Sequence, residues 1–394
     1  AVVAEIFDEQ KIQIAEEAYR GGELDVVASD AFISRLIAQN VRHPGLSYVY
    51  TELLSYARGN EIYVRSLPFL EGRTFGSLVG LFRNSILIGL VRPDGLRFEP
   101  HMNPRLDTMV EQGDRLVFIA RSYDQCEPND EAGETSFEMG ATEIDVMPPI
   151  THRRILILGW NHKVAPLIRE FGSYSSESFQ IDILSRTPIN ERKMTPDFAA
   201  NERVIVRHVE GDYTLRETVA SIKPAEYGNI VFLASDSMES GEESDARTVL
   251  GYVLLRSLLG ESSPPPEVVI ELMDPENAHL FRRRSGEVII SPLIMSHILA
   301  HVALRRELSA VYNELFGPEG AEVYFRTASS YGLSVGPFRM PEIQEIVRSR
   351  KEIALGVRIA RERENLGGGV HLNPGEEAEW KFEPEDEVVV LTTM

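Results

Sequence analysis

A short run of apolar residues, Ile155 to Leu158, is the clearest structural signal in the chain. Such a run predicts a strand that is buried on both faces of a parallel sheet. Gly159 follows where the backbone has to turn tightly. A helical pattern comes next, with apolar side chains at Val164, Leu167, Ile168 and Phe171. Strand, glycine turn and helix in this order predict the beginning of an α/β unit.

The alternation of apolar strands and helical stretches continues through the second half of the chain. The predicted strands are Arg154–Trp160, Phe179–Leu184, Arg203–Val209, Asn229–Ala234 and Val268–Met273. Helical spacing is clearest between Arg247 and Leu259. This pattern predicts the α/β class, with a Rossmann-like doubly wound parallel sheet. Period-two strands and a Pro-Asp-Gly turn at Pro93–Gly95 predict a small α+β lobe elsewhere in the chain.

An internal repeat organises the whole sequence. Nine residues of the first part recur 262 positions later: Ser29, Ser34, Ala38, Leu46, Ser47, Val49, Tyr50, Glu52 and Leu53 return as Ser291, Ser296, Ala300, Leu308, Ser309, Val311, Tyr312, Glu314 and Leu315. The matches continue into Glu61–Arg65 and Glu322–Arg326, and into Asn103 and Asn373. The chain is therefore expected to hold the back half of a first unit and a complete second unit, as a fragment of a longer polypeptide.

The repeat divides the chain into five expected regions. They are the back half of a first Rossmann-like unit with two crossover helices at 1–58, its C-terminal lobe at 59–124, an acidic linker at 125–150, a second Rossmann-like unit with crossover helices at 151–317, and a second lobe at 318–394. Each crossover pair carries two apolar stripes, for example one containing Phe32 and Leu36 and one containing Val49 and Leu53. We expect the two pairs to pack against each other, because one unit alone cannot bury both stripes.

Charge and cysteine content narrow the range of functions. The chain has 61 acidic and 40 basic residues, and its formal net charge is −21. This balance argues against a nucleic-acid partner, which needs clustered Lys and Arg. Cys126 is the only cysteine, which excludes an internal disulfide and favours a reducing compartment. No apolar run reaches the length of about 18 residues that a membrane-spanning helix needs.

The turn after the first strand departs from the G-x-G-x-x-G phosphate fingerprint. With Gly159 as the first glycine, Asn161 and Val164 stand where the other two belong. Gly159, Asn161 and His162 are candidates for lining a ligand crevice, but nucleotide binding is not expected. The second strand ends without the usual ribose-binding acid; Arg186 there, and Asp212 after the third strand, are further candidates. An exposed arginine and a turn with a helix cap are the alternative interpretations of these two residues.

A cluster of acids follows the predicted strand Asn229–Ala234. It consists of Asp236, Glu239, Glu242, Glu243 and Asp245. Clustered carboxylates suit Ca²⁺, which takes six to eight oxygen ligands, although the spacing is not that of an EF-hand. The competing interpretation is a solvated acidic loop in which Asp245 or its neighbour caps the next helix. No catalytic constellation is apparent in the sequence, and no other cofactor is predicted.

The duplicated pattern resembles tandem RCK domains, the TrkA-like regulators of potassium conductance, and most of all the CASTOR/POLLUX-type ion channels. The residues that carry the resemblance are Val26–Asp30 with Ile33–Leu36, Pro44–Leu46, Asn103–Pro104 with Gly113–Val117, and Ile157–Trp160. The resemblance implies a cytoplasmic ligand-sensing module at the inner face of a membrane that gates a cation channel, and it favours potassium as the ion. It also implies a pore-forming transmembrane segment upstream and a homotetrameric ring.

Two alternatives remain open from the sequence. One is an NAD(P)-dependent oxidoreductase, against which the damaged glycine fingerprint and the missing ribose acid argue. The other is a peripheral TrkA-type subunit for potassium uptake, which differs from a channel module in whether pore helices precede it in the same polypeptide. The family resemblance implies that the chain is not an enzyme.

Overall fold

A computed structural model gives the fold of the chain. It describes residues 2–22, 24–55, 59–95, 97–129, 151–192, 202–235, 240–260, 264–281, 286–317, 320–334, 336–365 and 367–393. Most of the expected linker at 125–150 lies outside these residues. In the described part of the chain, no helix has the length and apolarity needed to cross a bilayer.

The described residues of the first part of the chain form six strands and four α-helices. The strands are β1 (Val2–Ile6), β2 (Leu24–Ala28), β3 (Glu61–Arg65), β4 (Ser85–Asp94), β5 (Arg97–Met102) and β6 (Arg115–Ala120). The helices are α1 (Ile12–Ala18), α2 (Ser29–Arg42), α3 (Leu46–Leu54) and α4 (Phe75–Leu78). β1 and β2 pair in parallel, and the other four strands form an antiparallel sheet in the order β3-β6-β4-β5. We call this antiparallel sheet with α4 the first lobe.

The second part begins with a Rossmann-like half. Its strands are β7 (Thr151–Leu158), β8 (Glu177–Ser185), β9 (Val204–Glu210), β10 (Asn229–Phe232), β11 (Glu267–Leu272) and β12 (Glu287–Ile290). Its helices are α5 (Val164–Ser173), α6 (Arg216–Ile222) and α7 (Gly241–Leu259). The six strands form one parallel sheet in the order β12-β11-β10-β7-β8-β9, which confirms the predicted doubly wound fold. The strand order reverses between β7 and β10, and ligand crevices of such sheets lie at this point.

The chain ends with a second helix pair and a second lobe. The helices are α8 (Ser291–Leu304), α9 (Glu307–Phe316) and α10 (Met340–Arg348). The strands are β13 (Ala321–Thr327), β14 (Pro337–Arg339), β15 (Ile353–Arg358), β16 (Val370–Leu372), β17 (Glu379–Lys381) and β18 (Glu387–Thr393). Four of them form an antiparallel sheet in the order β13-β18-β15-β16, and β14 pairs with β17. We call these strands with α10 the second lobe.

The repeat extends to fine details of the two lobes. The register of β4 shifts between Leu87 and Gly89 against β6, and the register of β15 shifts between Ala354 and Gly356 against β18. Asn103 and Asn373 both have positive φ, at 48° and 42°, a conformation that asparagine tolerates better than most residues. The two lobes therefore share the strand order, the bulge and the left-handed turn.

The two crossover pairs pack against each other, as predicted. α2 contacts α9, and α3 contacts α8. The Phe316 ring of α9 lies 4.8 Å, centroid to centroid, from both the Phe32 ring and the Tyr50 ring. Each pair also reaches into the other unit, because α2 packs on α5 and β11 while α8 packs on β1 and α9 on β5. One continuous apolar core therefore contains residues of both units.

Candidate ligand crevice

The turn after β7 is held by direct contact between backbones. Gly159 has a φ of +115°, and a Cβ atom at this position would stand 2.4 Å from the carbonyl oxygen of Leu233, next to β10. Its amide donates to the carbonyl of Leu184 at 2.9 Å. Glycine is needed here both for the left-handed backbone and for the close approach of β7 and β10. The glycine predicted from the sequence thus shapes the crevice between the strands.

Asn161 is buried in this crevice and bonded to protein groups on several sides. Its Nδ2 atom donates to the carbonyl of Ala234 at 2.7 Å and to Glu271 Oε2 at 3.2 Å, and its Oδ1 atom accepts from the amide of Lys163 at 3.0 Å. In a dinucleotide fingerprint, glycine at this position lets the backbone approach the pyrophosphate. Here the side chain occupies the space beside the turn.

Glu271, from β11, is the centre of a buried polar network in the crevice. Its side chain has no exposed surface, and its Oε1 atom lies 3.2 Å from Lys163 Nζ. The hydroxyl of Ser291, at the start of α8, donates to the same oxygen at 2.5 Å. The amide of Ala234 donates to Oε2 at 3.0 Å. A buried carboxylate is stable only when it is paired and hydrogen-bonded, and Glu271 satisfies both conditions.

Residues of the first unit cover the mouth of the crevice. His162 Nε2 lies 2.9 Å from the Asp30 carboxylate, near the N-terminus of α2. Ser34, one turn further along α2, donates its hydroxyl hydrogen to the carbonyl of Lys163 at 3.0 Å. The edge ring contact between His162 and Phe7 adds a residue that follows β1. The crevice is therefore also part of the contact between the two units.

Arg186 and Asp212 lie together at the carboxyl ends of β8 and β9. Arg186 Nε is 3.7 Å from Asp212 Oδ2, and the arginine side chain is 60% exposed. The other carboxylate oxygen of Asp212 accepts from Thr214 and from Arg247 Nη2, the latter at 2.6 Å. Partial burial alone would raise the pKa of Asp212, but the hydrogen bonds from Thr214 and the charge of Arg247 outweigh it and lower the pKa.

A residue that the sequence did not single out, Arg192, covers the same edge of the sheet. Its guanidinium donates to the carbonyls of Thr187, Ile183, Ser185 and Val209 at distances from 2.8 to 3.2 Å. It lies 5.6 Å from the centre of the Trp160 ring. Burial lowers the pKa of Arg192. Arg192 therefore links the carboxyl ends of β8 and β9, although it lies outside the glycine motif that begins at Gly159.

The acidic cluster after β10 is only partly described. Asp236 and Glu239 lie outside the described residues, while Glu242 and Glu243 are exposed in the first turn of α7. Asp245 is buried and accepts from the amides of Met273 and Asp274 and from Asn277 Nδ2, at 2.9 to 3.0 Å. It therefore anchors the chain after β11. Within the described ranges, no three His, Cys, Asp or Glu side chains are grouped so that they could hold a metal ion.

Sequence reasoning identified the crevice but not what fills it. It named Gly159, Asn161 and His162, which the structure brings together, and it missed Lys163, Glu271 and Arg192. Glu271 had a visible signal, since it is the single acid inside the predicted strand Val268–Met273, and a buried acid requires a cation and hydrogen-bond donors. The position of Arg192 carried no such signal, because its partners are four backbone carbonyls and the Nδ1 atom of His208, at 3.2 Å, which only the fold brings together.

Comparison with known proteins agrees with this architecture. The family model of the middle region of Castor and Pollux, described as part of a voltage-gated ion channel, matches residues 30–136. The probable ion channel POLLUX of Oryza sativa subsp. japonica is 25% identical over 407 residues, which are 94% of this chain and 41% of that protein. The ion channel CASTOR of Lotus japonicus is 25% identical over 413 residues, which are 94% of this chain and 47% of that protein.

The chain thus spans less than half the length of these curated relatives. Among solved structures, the gating ring of human SLO3 is similar with a TM-score of 0.72, at 13% identity, over 99% of this chain and 81% of that chain. That likeness is one of fold. The matched family segment and the curated relatives confirm the resemblance inferred from the sequence: the chain is similar to the CASTOR/POLLUX-type ion channels.

Proposed function

We propose that the chain is the ligand-sensing gating module of a cation channel, in which binding of a ligand is coupled to opening of a pore. The observation that carries this proposal is the relationship to ion channels along 94% of the chain. Potassium is the ion that the RCK resemblance implies. The module would lie on the cytoplasmic side of the membrane, with its pore-forming segment upstream in the same polypeptide.

The interlocked helix pairs support a mechanism based on a shift between two arrangements. The shared core of α2, α3, α8 and α9 couples the two units, so that we expect the helix pairs to move together. A ligand that binds one arrangement of the surrounding parts more tightly would favour that arrangement. Moving a gate decisively requires about 5 kcal/mol of differential affinity, which several equivalent sites can supply together. A homotetrameric ring would provide such sites.

We propose further that the crevice at Gly159 does not hold a dinucleotide. The residues present do not fit one, because the Asn161 side chain fills the space beside the turn and Glu271 already receives the nearby donors. The carboxylate of Asp30 at the mouth of the crevice would repel a phosphate. This reasoning also argues against the oxidoreductase alternative, which depends on a nicotinamide cofactor.

The remaining candidate for ligand sensing is Ca²⁺ at the acidic cluster before and within α7. Asp245 is engaged with three protein donors, so a calcium ion would have to draw on the exposed carboxylates of Glu242 and Glu243 and on the cluster's two members outside the described residues. Arg186 and Asp212 form a second, weaker candidate, for a ligand with both an anionic and a cationic group. Both assignments are proposals.

The test of the gating function uses the full-length protein, reconstituted in planar lipid bilayers. We expect a cation current whose open probability changes with Ca²⁺ on the side of the module. The double variant Glu242→Gln/Glu243→Gln should weaken this response, whereas Glu276→Gln, an exposed acid outside the cluster, should not. A Ca²⁺ response that is identical in both variants would remove the cluster from consideration while leaving the gating function intact.

Two other outcomes separate the alternatives. A full-length protein that carries no pore helices, and conducts only after a separate membrane subunit is added, would support the TrkA-type alternative. Catalytic reduction of NAD(P)⁺ by the purified chain, lost on substitution of Gly159, would support the oxidoreductase and contradict the proposal.

A further inference from the structure

Two arginines stand at corresponding ends of the crossover helices. Arg42 is the last residue of α2, and Arg305 follows the last residue of α8. Each reaches toward the first strand of the other unit's lobe. Those strands match in sequence, since Glu61 and Tyr63 of the first lobe correspond to Glu322 and Tyr324 of the second. The same kind of contact is thus present twice and can be compared within one molecule.

The contact of Arg42 with the second lobe is buried and hydrogen-bonded. Its Nη1 atom lies 3.0 Å from both carboxylate oxygens of Glu322, and Nη2 donates to the hydroxyl of Tyr324 at 3.2 Å. Nε donates to Glu177 Oε1 of β8 at 2.7 Å. The guanidinium also lies 3.6 Å from the centre of the Tyr174 ring. Arg42 therefore joins α2, the parallel sheet and the second lobe at one point.

The contact of Arg305 with the first lobe has a different character. Its guanidinium lies over the faces of Tyr63 and Tyr123, at 4.9 and 5.6 Å from the ring centres. The positive charge acts on Glu61, whose pKa is raised by burial and lowered in part by Arg305. Within the described ranges, no ion pair joins Arg305 to a carboxylate; the ion pair between this lobe and α9 is that of Arg115 with Glu307, at 3.0 Å. The lobe is held at this point by stacking and by charge at longer range.

These two contacts should differ in the cost of opening. Separating Arg42 from Glu322 leaves the buried carboxylate of Glu322 without its cation, which is strongly unfavourable. Separating Arg305 from two tyrosine rings, one of them 42% exposed, loses only a partly solvated cation–π contact. We infer that the second lobe is fixed at its contact with Arg42, whereas the first lobe opens locally at its contact with Arg305, which is the positioning residue there. This inference does not depend on the identity of the ligand.

The single cysteine offers a direct measurement of that opening. Cys126 is buried in the core of the first lobe, and it lies in the same short helical turn, Tyr123–Cys126, as the ring under Arg305. Its thiol reacts with a disulfide reagent such as DTNB only when this turn opens. The labelling rate of the folded chain therefore reports local opening of the first lobe.

We expect Arg305→Met to accelerate the labelling of Cys126 by about tenfold, the factor that corresponds to loss of a typical cation–π contact. Arg305→Lys keeps the charge but loses the planar stack, so it should also accelerate labelling. Glu322→Gln should lower the melting temperature more than Glu61→Gln does, while leaving the labelling rate within about twofold of the parent chain. Glu322→Gln serves in place of Arg42 variants, since those remove a buried cation from three partners at once.

Arg350→Met is the matched control. Arg350 lies 4.6 Å from the centre of the Tyr331 ring, so this variant removes an arginine–tyrosine stack from the second lobe. Its labelling rate should equal that of the parent chain. The inference is wrong when Arg305→Met labels at the parental rate, or when Glu322→Gln or Arg350→Met accelerates labelling as much as Arg305→Met. Any of these results would show that the first lobe does not open separately through Arg305.

Discussion

Glu287 and Ser47 lie in different units and are joined by a hydrogen bond of 2.7 Å from the serine hydroxyl to the carboxylate. The amide of Gly45 donates to the other carboxylate oxygen. Glu287 belongs to β12, and Ser47 to the first turn of α3, so this carboxylate ties the parallel sheet to the crossover turn of the first unit. Burial raises the pKa of Glu287 to about 7, despite the opposing effect of these hydrogen bonds.

The raised pKa of Glu287 predicts a pH-dependent stability. Its folded form retains a proton that the unfolded chain releases, so its stabilising effect is complete below about pH 4.5 and is lost as the pH rises through about 7. The melting temperature should therefore fall between pH 5.5 and 8. Glu287→Gln removes this titration, and we expect its loss of stability over the same range to be smaller by about 1–2 kcal/mol.

A second buried acid, Glu170, contributes to the same pH dependence. Burial also raises the pKa of Glu170 to about 7, in the contact between α5 and α2, so the Glu287 variant should retain part of the pH dependence. Glu242→Gln, an exposed acid of α7, is the control and should follow the parent chain. Equal pH profiles for the parent chain and Glu287→Gln would show that the carboxylate does not titrate in this range.

Gly159→Ala should destabilise the fold by more than about 2 kcal/mol, because the new Cβ atom would combine a strained backbone with a clash against a carbonyl. The contact distance would be 2.4 Å to the oxygen of Leu233. Gly72→Ala is the control, since Gly72 also has positive φ but no atom within 4 Å of a Cβ. Urea denaturation of both variants measures the difference. Similar losses for the two would mean that the close approach of β7 and β10 is unimportant.

Asn161→Gly restores the second glycine of the dinucleotide fingerprint. We expect it to lower stability by about 1–3 kcal/mol, because the carbonyl of Ala234 and the amide of Lys163 each lose a buried partner. We do not expect it to create a nucleotide site, since Glu271 and Lys163 still occupy the crevice. Calorimetry with NAD(H) tests the parent and the variant. Low-micromolar affinity in the parent chain, lost in Gly159→Ala, would contradict the proposed closure of the crevice.

Leu53→Asp should unfold the chain or separate the units. Leu53 is 2% exposed in the shared core, and an unpaired charge there costs several kcal/mol, on the order of the whole stability of a domain. Leu304→Asp is the matched control, because Leu304 is 81% exposed in α8. Thermal melting and small-angle scattering report stability and shape. A Leu53→Asp chain that keeps both would show that the crossover pairs are not the interface.

Several features of the fold could be read from the sequence because they depend on local pattern. The apolar runs placed five of the six strands of the parallel sheet to within three residues of their observed bounds. The sixth, β12, was not recognised, since its four residues Glu287–Ile290 begin with an acid and are too short to show a pattern. Strand β2, which was predicted from Val26–Ala28, is the counterpart of β12 in the first unit, and the repeat therefore indicates where β12 lies.

The contacts inside the crevice could be predicted from the sequence only in part. The pattern located Gly159 and showed that Asn161 breaks the fingerprint, because the two residues lie two positions apart along the chain. It did not show that Asn161 bonds to Glu271, 110 residues away, or that Asp30 of the first unit meets His162. Partners at such separations are brought together only by the parallel sheet and the crossing helices.

The sequence by itself determined the type of most elements, the duplication and the family resemblance, because periodicity, turn residues and internal repeats are properties of neighbouring positions. Only the tertiary structure decided which unit each helix pair packs on, what fills the crevice, and which of two matching arginines is hydrogen-bonded. Glu61 and Glu322 occupy the same place in the repeat, yet Arg42 bonds to Glu322 at 3.0 Å whereas Arg305 stacks on tyrosine rings. The reason is physical: a side chain's partners depend on distances of a few ångströms between elements, and local sequence does not specify these distances.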